Sequence, residues 1–187
     1  MTNPDKTCKV VFLDRDGTLN VDPGYISDPL QMELLPDVGD ALVLLKKAGF
    51  LLVVVTNQSG VARGLIDEAK LPLIHDRPNQ LLKPKSVHID YFEVCTHHPV
   101  EGCECRKPKP KLLIDFAKKF NANLSASYMV GDRLTDLEVG RNAGTKVALV
   151  RTGNGLRTET EMLDSQADFV GDTLMDVAKW IASETVS

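Results

Sequence analysis

Long apolar runs are missing from this sequence. The longest, such as Phe50 to Val55, fall far short of the roughly 20 residues that a membrane-spanning helix needs. The polar stretch Met1 to Lys9 carries no apolar segment of the signal-peptide kind. Both absences point to a cytosolic protein with no membrane partner. No block of Lys and Arg stands out, and the formal net charge is -4. A long nucleic acid is therefore a poor partner. A small phosphorylated molecule needs only a local cluster of cations, so mild acidity does not count against it. Internal repeats and low-complexity linkers are absent too. Cysteine is scarce: there are 4 in 187 residues, and three of them fall between Cys95 and Cys105. In a reducing compartment such a cluster suits a metal better than a disulfide.

What is present fits an ordinary globular domain. Hydrophobic residues make up 43% and charged residues 26% of the chain, enough to bury a core without staples. We read residues 1–187 as a single domain, expected to act as a monomer. Short apolar strands alternate with amphipathic helices. Strands are expected over Lys9 to Leu13, Leu51 to Val55, Tyr91 to Cys95, Ser127 to Val130 and Lys146 to Val150, with a short edge strand at Ala167 to Val170. Helices are expected over Asp37 to Lys47, Lys111 to Phe120, Leu134 to Asn142 and Leu174 to Ala182. This rhythm implies an α/β fold, a three-layer Rossmann-like sheet of mostly parallel strands. One segment resists. Gly64 to Ile89 should hold a helix, but Pro72 and Pro78 interrupt it, so a broken or short helix is expected there.

Ligands in such sheets bind beyond the carboxyl ends of the strands. Polar residues gather at those ends: Asp14 and Asp16, Thr56 and Asn57, Cys95 and His97, and Asp132. Asp14-Arg15-Asp16-Gly17 places two carboxylates two residues apart after a buried strand. One can attack phosphorus while the other donates and recovers a proton. Alone, this run reads equally well as a solvated Asp-Gly turn. Thr56 and Asn57 can hold phosphate oxygens. Arg106-Lys107 supplies two cations, and the lysine can neutralise the nucleophile and the transferring group. Magnesium wants hard oxygen ligands, and Asp14, the Asp16 carbonyl and Asp132 would suffice. Asp136 is either a further rim carboxylate or a helix first-turn residue stabilised by the dipole.

The cysteine cluster reads Cys95-x-His97-x5-Cys103-x-Cys105. Three thiols and an imidazole match a structural zinc site with no open position. His98 competes with His97 for the fourth place. The loop ends just before Arg106-Lys107 and so can fix the approach of those cations.

Taken together, these four elements resemble the haloacid dehalogenase superfamily. Its motifs map to Asp14 and Asp16, to Thr56, to Lys107, and to Asp132 with Asp136. The resemblance spans about residues 9–150 and implies a two-step hydrolysis. Asp14 attacks in line while Asp16 protonates the leaving oxygen; Asp16 then activates water against the aspartyl-phosphate. Larger members carry a cap domain. The intervals from Asp16 to Thr56 and from Thr56 to Lys107 leave no room for one, so an open site is expected.

A narrower resemblance rests on the Asn20 to Tyr25 loop, on Thr56-Asn57-Gln58-Ser59-Gly60-Val61-Ala62-Arg63-Gly64, and on the cysteine loop running into Arg106-Lys107-Pro108. With Tyr128 to Asp132 and Gly144 to Lys146, these are similar to the D-glycero-D-manno-heptose 1,7-bisphosphate 7-phosphatases. That family removes the 7-phosphate during synthesis of nucleotide-activated heptose for surface polysaccharide. The likeness implies substrate contacts from Asp22, Gly24 and Tyr25, from Thr56, Asn57, Gln58 and Ser59, and from Arg106, Lys107 and Arg133. Arg133 departs from the lysine associated with that place. A bisphosphate also wants positive charge away from the reacting group, which Arg63 or Arg106 can supply. Three other readings compete: a histidinol-phosphate phosphatase, a polynucleotide 3'-phosphatase, and a non-enzymatic zinc-loop binding protein. The first usually has Asp-Gly where this chain has Ser59-Gly60. The other two want a basic groove.

Overall fold

In the computed structural model, residues 7–163 and 166–185 are described; most of the polar start of the chain lies outside them. Six strands form one parallel sheet in the order β3-β2-β1-β4-β5-β6. They are β1 Lys9–Leu13, β2 Phe50–Asn57, β3 Tyr91–Cys95, β4 Tyr128–Gly131, β5 Lys146–Val150 and β6 Phe169–Gly171. The helices are α1 Val38–Lys47, α2 Leu71–Leu82, α3 Lys111–Phe120, α4 Leu134–Ala143, α5 Gly155–Glu161 and α6 Leu174–Glu184.

Strand side chains alternate between the two faces of the sheet, and this divides the core. Val11, Leu13, Leu52, Val54 and Val130 pack with α1 and α6 on one face. Val10, Phe12, Val53, Val55 and Met129 pack with α3 and α4 on the other. Three layers result, with every described strand parallel. The chain runs from β1 outward to β3, then returns to place β4 on the far side of β1. The sheet's switch point therefore lies between β1 and β4, where the ends of two neighbouring strands open a crevice. The Asp14 N–H donates to Val130 O at 2.9 Å, which holds the two ends together.

Most element boundaries agree with the sequence to within a residue or two; the exceptions flank the site. The 64–89 segment holds a full twelve-residue helix, α2, rather than a broken one. Pro72 sits in its first turn, where a missing N–H costs nothing. Pro78 lies inside the helix but on its buried seam, with Leu71, Ile74 and Leu82. Burial of that seam offsets the lost hydrogen bond, since tertiary packing supplies most helix stability in proteins. α5 was not expected at all. Between Asp16 and α1 there is only a loop with a 3₁₀ turn, Pro29–Gln31. Between β2 and β3 there is α2, flanked by 3₁₀ turns. Among the described residues no cap domain covers the sheet's carboxyl rim.

Candidate active site

The carboxyl ends of β1, β2 and β4 converge on a cleft of about 810 Å³, which Asp14, Asp16, Thr56, Lys107 and Asp136 all line. Asp14 leaves β1 at the switch point and is 6% exposed. Lys107, equally buried, donates to Asp14 Oδ1 at 2.6 Å and to Val55 O at 2.8 Å. Its Nζ also lies 2.7 Å from Asp136 Oδ1. Burial pushes Asp14 up to about 6, with Lys107 opposing and Asp136 adding to the rise. Burial alone would lower Lys107, but Asp136 and Asp14 more than offset this and hold it firmly charged. One cation thus sits between the Asp14 and Asp136 carboxylates.

Asp136 fills both roles left open by the sequence. Its Oδ2 accepts from Arg133 N at 3.0 Å, closing the first turn of α4. Its Oδ1 faces Lys107. This close approach needs Gly131, where an added Cβ would lie 2.3 Å from the Asp136 side chain.

Asp16 sits in a cage. Its Oδ1 accepts from Arg15 Nε at 3.0 Å and Asn20 Nδ2 at 2.9 Å. Its Oδ2 accepts from Arg15 Nη2 at 2.8 Å and Gln58 Nε2 at 3.0 Å. Burial raises this carboxyl, but the Arg15 guanidinium and the side-chain donors outweigh it and hold Asp16 below the usual range. Arg15 is itself 1% exposed. Neither Arg15 nor Asn20 was singled out from the sequence; a buried charge between two acids was the available signal.

The carboxylates of Asp14, Asp132 and Asp136 lie within 4.8 Å of one another. Asp132 is fully buried. Its Oδ2 accepts from Asn154 N at 2.7 Å and Nδ2 at 3.1 Å, while Oδ1 has no hydrogen-bond partner. Burial raises Asp132, and the Asp14 charge adds to it. A buried, unsatisfied hard oxygen beside a second carboxylate suits a dication. Gly17, with φ +84°, makes room for the Asp132 side chain itself: a Cβ there would stand 2.3 Å from Asp132 Oδ2.

The remaining expected residues divide in two. Asp22, Gly24, Tyr25, Asn57, Ser59, Arg106 and Arg133 line the cleft. Asn57 also clamps the Lys107 backbone, accepting from its N–H at 3.1 Å and donating to its carbonyl at 3.3 Å. Arg133 and Asp22 pair at 3.1 Å. Gln58, by contrast, is buried behind the cleft wall, bridging Asp16 to Thr56 Oγ1 at 2.9 Å. Arg63 is exposed and lies outside the lining. Sequence reasoning missed the wall formed by Asn154, Arg157, Thr158 and Glu161. The end of β5 was a usable signal, because Thr152-Gly153-Asn154 follows it at the same rim.

Cys95, His97, Cys103 and Cys105 form a second cluster. Cys105 Sγ lies 3.2 Å from Cys95 Sγ, 3.2 Å from His97 Nδ1 and 3.7 Å from Cys103 Sγ. Cys95 Sγ lies 3.6 Å from Cys103 Sγ and 3.7 Å from His97 Nδ1. A tetrahedron with metal–sulfur bonds of about 2.3 Å has edges of about 3.8 Å, so one ion fits these four atoms. His98 is occupied elsewhere: its ring accepts from Val100 N and caps the turn Pro99–Glu101. Cys8 stands apart and donates to Phe120 O at 3.4 Å.

An Asp-x-Asp pair at the switch point with its first member buried, a lysine between acids and an Asp132 with one unpartnered oxygen define the HAD-like hydrolase class. The family model described as "HAD-hyrolase-like" matches residues 104–177. The D-glycero-beta-D-manno-heptose-1,7-bisphosphate 7-phosphatase of Escherichia coli (strain K12) is 42% identical over 188 residues, covering 96% of each chain. A crystal structure of the D,D-heptose 1,7-bisphosphate phosphatase from B. bronchiseptica, complexed with magnesium and phosphate, superposes with a TM-score of 0.88. It is 37% identical and covers 94% of this chain and 99% of that one. The corresponding enzyme from Burkholderia thailandensis gives a TM-score of 0.72 at 33% identity, covering 94% and 99%. This chain belongs to the D-glycero-beta-D-manno-heptose-1,7-bisphosphate 7-phosphatase family. No described helix is long and apolar enough to cross a membrane.

Proposed function

We propose that this protein is a magnesium-dependent phosphatase that removes the 7-phosphate of D-glycero-D-manno-heptose 1,7-bisphosphate, on the route to activated heptose for lipopolysaccharide. The observation that carries this reading is Asp14, buried and held by Lys107 at 2.6 Å, in a chain alike over 96% of its length to enzymes of that activity. One domain, residues 1–187 with a zinc loop at 95–105, performs the work.

Asp14 Oδ attacks the 7-phosphoryl phosphorus in line and forms an aspartyl-phosphate. Lys107 keeps Asp14 ionised and screens the charge on the transferring group. Thr56 donates to a phosphoryl oxygen. Asp16 rests as a carboxylate, and the negative charge of an arriving phosphate favours its protonation. It then gives that proton to the leaving sugar oxygen. In the second step Asp16 takes a proton from water, which hydrolyses the intermediate. Asp14, the Asp16 carbonyl and Asp132 would hold magnesium, the ion present in the B. bronchiseptica relative. Bound there, it supplies electrostatic stabilisation and orientation of the phosphoryl group. Cys95, His97, Cys103 and Cys105 would hold structural zinc, and Gln58 N to Cys95 O at 2.7 Å ties their loop to β2. Asp22, Gly24, Tyr25, Asn57, Ser59, Arg106 and Arg133 take the rest of the substrate.

The test is a comparison of kcat/KM for heptose 1,7-bisphosphate and histidinol phosphate on the purified enzyme with magnesium. A preference of about a hundredfold or more for the heptose is expected, since differential transition-state contacts decide such ratios. A preference for histidinol phosphate would overturn the substrate and leave the mechanism standing.

A further inference from the structure

The turn from Asp14 to Gly17 carries both carboxylates of the proposed hydrolysis. Its place against the rest of the site decides how attack and proton transfer are aligned. β4 fixes its start, through Asp14 N to Val130 O at 2.9 Å. Its own backbone closes it: Gly17 N donates to Asn20 O and Leu19 N to Arg15 O, each at 2.8 Å. The Gly17 carbonyl is held from elsewhere in the chain. It accepts from Thr152 Oγ1 at 2.7 Å, across 135 residues of sequence.

Thr152 sits in the corner between β5 and α5. It is half-buried and lies outside the cleft lining, so it reaches the reaction only through what it holds. Two residues on, Asn154 holds Asp132: its backbone N–H donates to Oδ2 at 2.7 Å and its Nδ2 at 3.1 Å. Gly153 lets these parts meet. Its φ is +57°, and an added Cβ would stand 2.4 Å from Asp132 Oδ2 and 2.6 Å from Gly17 Cα. Three consecutive residues thus grip the Asp-x-Asp turn and Asp132 at once. The corner is braced on its own account. Arg151 N donates to Gly171 O at 2.9 Å, and Gly155 N to Thr152 O at 2.8 Å. The Arg151 guanidinium binds Glu159 at 2.6 Å and 2.7 Å and Asp172 at 2.7 Å. A hydroxyl presented from so fixed a corner can set the position of the turn. In-line attack tolerates little displacement: a misplacement of about 1 Å can cost about a hundredfold in rate.

We propose that Thr152 is a positioning residue for phosphoryl transfer: its hydroxyl, through the Gly17 carbonyl, keeps Asp14 and Asp16 in register with Asp132. This rests on the phosphatase reading above, whichever ester is cleaved. The test measures kcat and KM of wild type, Thr152→Val, Thr152→Ala and Thr152→Ser with magnesium. Substrates are heptose 1,7-bisphosphate and p-nitrophenyl phosphate. Valine keeps the shape of threonine without the hydroxyl, alanine lacks the hydroxyl and crowds nothing, and serine keeps the hydroxyl. Whichever hydroxyl-free variant melts well above the assay temperature carries the comparison. It is expected to lose about tenfold or more in kcat with KM within about twofold, because the hydroxyl touches no substrate. Thr152→Ser should bring kcat back to within about threefold of wild type, a rescue that packing alone does not give. Unchanged kcat in a folded hydroxyl-free variant, a loss carried by KM, or a loss that serine shares overturns the inference and leaves the phosphatase standing. A wild type inactive on both substrates overturns the functional reading, and the inference with it.

Discussion

Asp16 accepts four hydrogen bonds, which fills the lone-pair sites of a carboxylate. Two come from Arg15, a charge buried with no route to solvent. Replacing Arg15 with Met leaves Asp16 without its cation, and breaking a mostly buried pair costs about 3 kcal/mol. Urea unfolding should show a loss of that size; an unchanged midpoint would mean the pair contributes nothing. At Asp14 the expectation is the reverse. Asp14→Asn should melt near the wild-type temperature yet lose all but about 1% of turnover, since the amide is no nucleophile. Activity well above that level removes Asp14 from its role. The raised acids also set a pH dependence. With Asp14 pushed up to about 6, and Asp132 and Asp136 raised too, the folded chain keeps protons that an unfolded carboxyl releases near pH 4. Stability from Asp14 therefore falls as pH rises from about 4 to 6, and Asp132 and Asp136 act in the same sense. A dication takes the place of those protons, so magnesium should raise the melting temperature more at about pH 7.5 than at about pH 5. Equal shifts at the two pH values would contradict this.

At the scale of elements, α5 and the cysteine loop support the site from opposite walls. Asn154→Ala removes the side-chain donor to Asp132 and leaves the backbone one; it should weaken magnesium binding by about tenfold, as loss of such outer partners does. Calorimetric titration reads this directly; an unchanged affinity would separate α5 from the metal site. The strands were legible because β1, β2 and β4 are apolar runs ending in Asp14, Thr56 and Asp132. The buried seam of α2 was not, because Pro78 counts against a helix until Leu71, Ile74 and Leu82 are seen beneath it. α5 was hidden for a different reason. Gly155 to Glu161 has few apolar residues, and its cap contacts Asp132, 22 residues earlier in the sequence. Gln58 was legible as a site residue but not as one that reaches the site through Asp16 and Thr56. The Cys95, His97, Cys103, Cys105 cluster was the easiest to read, since ligand type and spacing already group these residues in the sequence. Metal analysis of protein purified without chelators should give about one zinc per chain; less than about half would count against the Cys95, His97, Cys103, Cys105 site.

The whole molecule is a parallel sheet with an uncovered rim. Order 3-2-1-4-5-6 places Asp14 and Asp132 just past the ends of the two strands that flank the switch point, so the fold itself brings the two carboxylates together. With no cap among the described residues, the cleft is walled by the Asp22 to Tyr25 loop, the Arg106 segment and α5. An open cleft so lined suits a small, doubly charged sugar rather than a polymer. On the proposed reading the substrate sits with its 7-phosphate against Asp14. The most direct test follows heptose 1,7-bisphosphate by ³¹P NMR as the enzyme turns it over with magnesium. The 7-phosphate resonance should vanish into inorganic phosphate while the 1-phosphate resonance persists. Loss of the 1-phosphate first, or no reaction at either end, would contradict the account.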